Sequence, residues 1–189
     1  MMKIQAEVTL ARVLGIGALS TSVFILWNVV TDPVNVTKLA AAGGVGLIVS
    51  QWAKLLGLTV IGTVSTEEKA AVARAHGCDH TINYSHEDIA KRVRDITNGV
   101  GVDVVIDSVG KNTFIASLDS LRRRGLMVCV GTASGTIDGF NPNLLAQKGS
   151  LYLTRPALAD YISDPLEKAE LADEIFGHIA AGRILIEIN

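Results

Sequence analysis

The chain has 189 residues, of which 49% are hydrophobic and only 5% are aromatic, and its formal net charge is −2. This length suffices for one domain with a full core, and the scarcity of aromatic residues among so many aliphatic ones is typical of a buried parallel sheet. The net charge and the lack of a basic tract argue against a nucleic-acid partner. Cys78 and Cys129 have no cysteine neighbour, so we expect no metal site and predict a reduced, cytoplasmic setting.

Residues 13–31 form an uncharged segment that follows Lys3 and Arg12. Its length would admit a membrane anchor, but its interior glycine, serine, threonine and asparagine residues make it a poor one. We therefore expect a buried helix within a divergent N-terminal helical segment, residues 1–35, rather than a membrane attachment. A membrane-anchored reductase stays as the weaker alternative.

From Val34 onwards, strand patterns alternate with helical patterns. The predicted strands cover residues 34–39, 58–64, 81–84, 102–107, 126–130 and 151–154. The predicted helices follow the glycine turn as far as residue 56, then cover 65–76, 86–97, 113–121 and 165–181, with Arg122 to Gly125 as a return between elements. Ser65 and Glu68 are expected to form a capping box. This alternation predicts an α/β fold, a doubly wound parallel sheet (Rossmann fold) of about six strands with helices on both faces.

A glycine-rich turn joins the first strand to the first helix. Ala41-x-Gly43-x-x-Gly46 is the dinucleotide-binding pattern with alanine in its first place, and its strand-to-helix context is the one that the pattern requires. Glycines there let backbone N–H groups approach a pyrophosphate at the start of a helix. The predicted contacts are Ala42, Gly43, Gly44, Val45 and Gly46. The alternative is a glycine-rich turn that binds nothing.

The end of the second strand selects the cofactor. An acid about 20 residues after the motif would bind the ribose 2′-hydroxyl of NAD, and no acid stands between Gly62 and Thr66. Ser65 and Lys69 instead offer a hydroxyl and a cation that suit a 2′-phosphate, so NADP(H) is favoured. The alternative is that Ser65 only caps the helix and that Lys69 is a solvated surface charge.

Ligands of such sheets bind at the carboxyl ends of the strands. That rule places Tyr84 near the adenosine end of a dinucleotide, although it could equally be a plain edge aromatic. It places Ser108 and Val109 beside the nicotinamide ribose. The segment after the fifth strand would lie beside the nicotinamide, through Val130, Gly131, Thr132 and Ala133.

No catalytic residue stands out. Four residues after Tyr84, Tyr152 and Tyr161 no lysine occurs, which excludes a Tyr-x-x-x-Lys mechanism. The histidines are scattered over helix ends and loops and are expected at the surface: His76, His80, His86 and His178. Asp103 and Asp107 lie in one strand without a metal partner. Hydride transfer can proceed without any of them, because the cofactor carries the chemistry.

Several stretches resemble the zinc-independent quinone oxidoreductases of the medium-chain dehydrogenase/reductase superfamily. They are Ala40-Ala-Ala-Gly-Gly-Val-Gly46, Asp107-Ser-Val-Gly110, Arg124-Gly-Leu-Met-Val128, Gln147-Lys-Gly-Ser-Leu-Tyr-Leu-Thr-Arg-Pro156 and Ala181-Gly-Arg-Ile184. The resemblance implies hydride transfer from NADPH to a quinone or a similar enone. It implies that the glycines, Lys69, Tyr84 and residues 130–133 contact NADPH, and that strand 151–154 pairs with a second copy in a homodimer.

The resemblance has limits. Residues 36–189 are expected to be the NADP-binding domain, and the GroES-like substrate domain of the family finds no match in this sequence. Lys38 replaces an apolar residue and is expected to weaken a buried central strand. These departures leave open a second reading, in which the chain is a catalytically silent NADP-binding or dimerising module. The particular quinone or enone is not encoded in the residues at hand.

Overall fold

A computed structural model gives the fold and describes residues 36–41 and 43–186. The N-terminal segment 1–35, with its uncharged stretch, lies outside the described residues, as do Ala42 and 187–189. Within the described part of the chain, no helix combines the length and the apolar character that crossing a membrane would require.

The described strands form one parallel sheet. They are β1 (Val36–Ala40), β2 (Thr59–Val64), β3 (His80–Asn83), β4 (Val102–Asp107), β5 (Leu121–Cys129) and β6 (Tyr152–Thr154). Their order across the sheet is β3-β2-β1-β4-β5-β6, and every neighbouring pair is parallel. This is the strand order of the dinucleotide-binding doubly wound fold, so the predicted fold class is confirmed.

Helices connect the strands. In chain order they are α1 (Gly44–Leu55), α2 (Glu67–Ala75), α3 (Ile89–Ile96), α4 (Phe114–Ser120), α5 (Asn143–Gln147), α6 (Leu158–Tyr161) and α7 (Pro165–Ala180). The described residues form two compact units. The first ends at Arg155 and contains the sheet with α1 to α5. The second begins at Pro156 and contains α6 and α7, of which α7 starts at the predicted Asp164-Pro165 pair.

The sheet is buried because the crossover helices cover it. Ile61, Val105 and Met127 form a row across β2, β4 and β5, since Val105 pairs with Met127 and both Ile61 and Val105 are in register with Lys38 of β1. Leu118 of α4 belongs to the same buried cluster. Burial of these apolar side chains stabilises the sheet. Lys38 is the one charged residue in this row, between Ile61 and Val105.

The start of α2 differs from the prediction. Thr66, not Ser65, is the N-cap residue, and its hydroxyl accepts a hydrogen bond from the backbone N–H of Lys69 at 3.3 Å. Both residues can cap, and the strand decides between them, because β2 continues to Val64 and leaves Thr66 as the extended residue before the first helical turn. Similarly, α3 begins after an Asp88 cap rather than at His86.

The predicted return at Arg122 to Gly125 lies inside β5 instead of before it, at an irregularity in the strand pairing. Leu121 already pairs with Val102, and regular pairing resumes between Leu126 and Val104 after an irregularity in the register. Arg122 donates from Nε to Asp103 in β4 at 2.6 Å. Residues 122–125 pair with no residue of β4 or β6, and Arg124 has a φ of 58°, so the chain does bulge here, within the strand rather than between elements.

Candidate functional site

The carboxyl ends of five strands meet at one edge of the sheet. The register pairs Ala40 with Thr63, Val64 with Asn83, and Asp107 with Cys129. Because the strands are parallel, the segments that follow them share this edge. The strand order reverses between β1 and β4, which is the place where doubly wound sheets bind dinucleotides.

The glycine turn after β1 is open. Gly43 is the N-cap of α1, with φ −102° and ψ 163°, and no side chain caps this helix. Apart from its chain neighbours, a Cβ added at Gly43 or Gly44 would have no atom of the described residues within 4 Å, and neither residue lies in the left-handed region. Neither packing nor backbone conformation therefore requires glycine at these positions. A cradle of this kind, at the uncapped start of a helix without an acid in its first turn, fits a pyrophosphate.

At the next strand end, Ser65 and Lys69 lie together. The ammonium of Lys69 donates to the Ser65 hydroxyl at 3.1 Å, and Lys69 is exposed. The backbone carbonyl of Ser65 accepts from the Ser85 hydroxyl at 2.8 Å, which joins the end of β2 to the end of β3. Tyr84, the residue before Ser85, is 52% exposed. The predicted hydroxyl and cation for a 2′-phosphate thus form a single cluster.

Two acids in the first turn of α2 were not part of the predicted site. Glu67 and Glu68 follow the N-cap, where carboxylates stabilise the positive end of a helix. A hydrogen bond from the Thr66 hydroxyl holds the pKa of the exposed Glu68 below its ordinary value. The same charges oppose an anion bound at Ser65 and Lys69. The sequence Ser-Thr-Glu-Glu contains this signal, which becomes clear once Thr66 is identified as the cap.

The turn after β4 is organised by Asp107. One carboxylate oxygen accepts from the backbone N–H of Val109 at 2.8 Å and of Gly110 at 3.0 Å. The other accepts from the hydroxyls of Thr113 at 2.7 Å and Ser117 at 2.6 Å. Burial alone raises the pKa of Asp107, but the hydrogen bonds and the charge of Lys38 together leave it lowered. Asp107 is therefore a structural carboxylate rather than a proton donor.

The turn after β4 and the loop after β5 are held against each other. The Ala133 N–H donates to the carbonyl of Ser108 at 3.3 Å, and the Ser134 N–H donates to the carbonyl of Val109 at 2.8 Å. A Cβ on Gly131 would collide with the Ser108 backbone, so this glycine is required by the close approach of the two segments. The predicted nicotinamide residues Ser108, Val109 and 130–133 form one surface at the β4–β5 end of the edge.

The predicted site residues thus fall into three groups along one edge. The glycines Gly43, Gly44 and Gly46 with Val45 lie at β1, the pair Ser65 and Lys69 with Tyr84 lies at β2 and β3, and the last group lies at β4 and β5. Ala42 is outside the described residues. Gly46 is buried in α1, whereas Gly43, Gly44 and Val45 are exposed. Ser134, which bridges the last two segments, was not among the predicted residues.

The histidines differ in environment. His76 was expected at the surface but is buried at the end of α2, where its Nδ1 is 2.8 Å from the carbonyl oxygen of Val72. It is the C-cap residue of α2, at the opposite end of the helix from Thr66 and Lys69. In the part of the chain that the structure describes, no three His, Cys, Asp or Glu side chains are grouped so that they could hold a metal ion.

A cavity of about 440 Å³ lies where α4 begins. It lies next to the segment that follows the β5 loop, and Phe114 and Phe140 contact each other there with ring centroids 5.4 Å apart in an edge-to-face arrangement. Lys111 and Asp138 contribute charges to its lining. None of the predicted site residues lines this cavity, so it is separate from the three groups at the strand ends.

Two curated oxidoreductases are similar to this chain in sequence. A quinone oxidoreductase of Pseudomonas aeruginosa is 55% identical over 150 residues, which are 79% of this chain and 46% of that protein. A 2-haloacrylate reductase of a Burkholderia species is 54% identical over 144 residues, which are 76% of this chain and 43% of that protein. The chain therefore spans about half the length of the curated relatives that it matches.

Solved structures share its fold. The crystal structure of Escherichia coli quinone oxidoreductase complexed with NADPH superposes with a TM-score of 0.80 at 43% identity, covering 91% of this chain and 56% of that one. A family model described as zinc-binding dehydrogenase matches residues 44–164. The resemblance drawn from the motifs is confirmed: the chain belongs to the zinc-binding dehydrogenase family.

Proposed function

We propose that this chain is the cofactor-binding part of an NADPH-dependent quinone oxidoreductase. The observation that carries the proposal is the open glycine cradle at Gly43 and Gly44. The cradle lies where the strand order reverses, which is where doubly wound sheets bind dinucleotides. The uncapped helix that follows it supplies backbone N–H donors for a pyrophosphate. The name of the Pseudomonas aeruginosa relative and the NADPH in the Escherichia coli complex support the choice of reaction and cofactor.

Ser65 and Lys69 support NADPH over NADH. A cation 3.1 Å from a hydroxyl offers a charge-assisted hydrogen bond to a 2′-phosphate, and no acid stands at the end of β2 to bind a free 2′-hydroxyl. Tyr84 lies exposed beside this pair and would cover the adenosine end. Glu67 and Glu68 limit the gain, so we expect a clear but moderate preference for NADPH.

When bound, the nicotinamide supplies the hydride for a quinone or a similar enone. The role of the chain is to hold that ring at the β4–β5 end of the edge. Ser108 and Val109 would face the nicotinamide ribose, and residues 130–133 would support the ring. The site residues would orient the cofactor, which carries the chemistry.

We also propose a homodimer that forms through β6, in a cytoplasmic setting. β6 is the last strand in the sheet order, and Tyr152 is 42% exposed. An open edge of this kind is stabilised by pairing with a second copy. A lysine at Tyr152 should lower the dimer fraction in sedimentation velocity, whereas a lysine at the exposed Val100 should not. The two buried free cysteines fit a reducing compartment.

The test of cofactor binding is calorimetric titration of the chain with NADPH, together with a Gly43→Asp variant. A carboxylate at the N-cap would satisfy the start of α1 and repel the pyrophosphate. We expect the variant to lose at least about 30-fold in NADPH affinity, because the new side chain fills the cradle and its negative charge repels the pyrophosphate. Its free energy of unfolding should stay equal or rise by about 0.5–1 kcal/mol.

Gly43→Asn is the matched control, since it caps the helix without a charge. It should lose affinity through size alone, and the difference from Gly43→Asp measures the charge. Equal NADPH binding by wild type and Gly43→Asp would refute the cradle. Binding of NADPH without reduction of any quinone would instead identify a silent binding module.

A further inference from the structure

A buried polar network lies beneath the proposed nicotinamide surface, and it begins at Lys38. This residue is 3% exposed, in the middle of β1. Its neighbours in register are Ile61 on β2 and Val105 on β4, both fully buried. Its ammonium donates to the Ser117 hydroxyl of α4 at 3.1 Å. Neither the motif analysis nor the proposed cofactor contacts give this lysine a role.

The network continues from Ser117 to the site. The Ser117 hydroxyl donates to Asp107 at 2.6 Å, and Asp107 accepts the backbone N–H groups of Val109 and Gly110. The carbonyl of Val109 in turn accepts from Ser134 in the β5 loop. A continuous path of hydrogen bonds therefore joins the buried amine to both segments of the nicotinamide surface.

The ionisation state of Lys38 decides which way the Ser117 hydroxyl points. An ammonium has three donors and no acceptor, so it can only donate to Ser117, which leaves the hydroxyl proton directed at Asp107. A neutral amine carries a lone pair and can accept that proton instead. Asp107 would then lose its 2.6 Å hydrogen bond from Ser117, and with it part of its attachment to α4.

We propose that Lys38 is a positioning residue for the nicotinamide half of the site, acting through Ser117 and Asp107 on the turn at Val109 and Gly110. The proposal rests on the proposed function for its effect on cofactor binding. The protonated network holds the turn, and loss of the proton loosens it. Cofactor affinity is then highest with Lys38 charged and falls as Lys38 deprotonates.

The surroundings of Lys38 bring its deprotonation within reach of mildly alkaline pH. Burial lowers the pKa of Lys38 to about 8, against the opposing charge of Asp107. Among the described residues, Asp107 on β4 is the charged group that acts on it, while β2 presents Ile61 and α4 presents Ser117. Cys129 on β5 faces Asp107, but burial raises the pKa of its thiol to about 11, so it stays neutral in the range that matters.

The first test needs no nucleotide. The amide shifts of Val109 and Gly110 are followed by NMR from pH 7 to 9.5 in the whole chain. We expect one titration step near pH 8 in the wild type and none in Lys38→Met. Lys91→Met, which removes an exposed lysine of α3, should leave the step unchanged. A flat wild-type profile, or an unchanged step in Lys38→Met, would overturn the proposal.

Ser117→Ala separates the relay from a direct effect of charge. In this variant Lys38 still titrates, as its side-chain signals would report, but the step at Gly110 should shrink or vanish. A full step at Gly110 would show that the field of Lys38 acts on Asp107 without Ser117, and the relay would be wrong.

The second test measures the affinity of the wild type and of Lys38→Met for NADPH and for adenosine 2′,5′-bisphosphate over the same pH range. We expect wild-type affinity for NADPH to fall about threefold between pH 7 and 9, as for one weakened hydrogen bond, and the variant to lack this fall. The bisphosphate, which occupies only the adenosine half, should show no difference between the two proteins. If neither ligand binds, the proposed function fails, while the amide titration still decides the network.

Discussion

Two lysines of this chain make the same contact in opposite surroundings. Lys38 and Lys69 each donate to a serine hydroxyl at 3.1 Å, Lys38 to Ser117 and Lys69 to Ser65. Lys69 is exposed at the end of β2, where its charge is available to a ligand, whereas Lys38 is enclosed between α4 and the sheet. The contact distance alone therefore says little about what a charged residue does, because burial decides the cost and the use of the charge.

The largest expected effect is on stability, from Lys38→Met. The folded-state pKa of about 8 lies below the ordinary value of 10.5, so the folded protein bears the full cost of the buried charge below pH 8. Asp107 loses only the nearby charge and keeps its hydrogen bonds from Val109, Gly110, Thr113 and Ser117, so it is not left uncompensated. We expect the variant to be more stable at pH 7, on the order of 3 kcal/mol in urea unfolding.

The sign of its pH dependence follows from proton binding. Between pH 8 and 10.5 the unfolded state holds the Lys38 proton and the folded state does not, so wild-type stability rises with pH in this window relative to the variant. The gap between the two proteins should narrow by about 1–2 kcal/mol from pH 8 to 9.5. A gap that stays constant would mean that Lys38 keeps its proton in the folded protein throughout this range, so that its pKa is not lowered.

Lys69→Ala should affect binding and leave stability unchanged. Calorimetry should show a loss of about 1–3 kcal/mol for NADPH and a smaller loss for NADH, because only NADPH offers a 2′-phosphate to the ammonium. Lys91→Ala is the matched control, since Lys91 is an exposed lysine near the start of a neighbouring helix. Equal losses for the two nucleotides would remove Lys69 from the phosphate site.

Substitution of the two serine partners should also affect stability differently, because Ser117 is buried and Ser65 is not. Ser117→Ala leaves Lys38 without its hydroxyl acceptor and removes one bond from Asp107, both in the interior, so we expect a cost of about 1–3 kcal/mol in unfolding free energy. Ser65→Ala should change unfolding by less than about 0.5 kcal/mol, because water replaces the lost contact. Similar costs for both would mean that the interior of the network is hydrated.

The smallest effect is expected from Glu68→Gln. The carboxylate of Glu68 lies one residue before Lys69, at the start of α2, and opposes a bound 2′-phosphate through solvent. Its removal should raise NADPH affinity about twofold at low salt, and the gain should disappear at high salt as the charge is screened. NADH affinity is the internal control. An equal rise in NADH affinity would mean that Glu68 does not act on the 2′-phosphate.

The sequence alone determined the fold class and the three groups of candidate site residues. Alternating strand and helix patterns require a parallel sheet, and the glycine motif marks its first turn, so the carboxyl-edge rule brings Gly43, Ser65 and Val109 to one side. These inferences succeed because each depends on local chemistry or on a rule that holds for every sheet of this type. The cofactor, the reaction and the contacts of each site residue are still proposals.

Only the tertiary structure decided which hydroxyl caps α2, where β5 begins and what Lys38 contacts. Ser65 and Thr66 are equivalent by composition, and the end of β2 selects between them. The sequence pattern places Arg122 to Gly125 before the fifth strand, whereas the structure starts β5 at Leu121, where Arg122 contacts Asp103 of β4. From the sequence, Lys38 is expected only to weaken a central strand. Its partners Ser117 and Asp107 are 79 and 69 residues away along the chain. Contacts of that separation depend on packing, which no local pattern encodes.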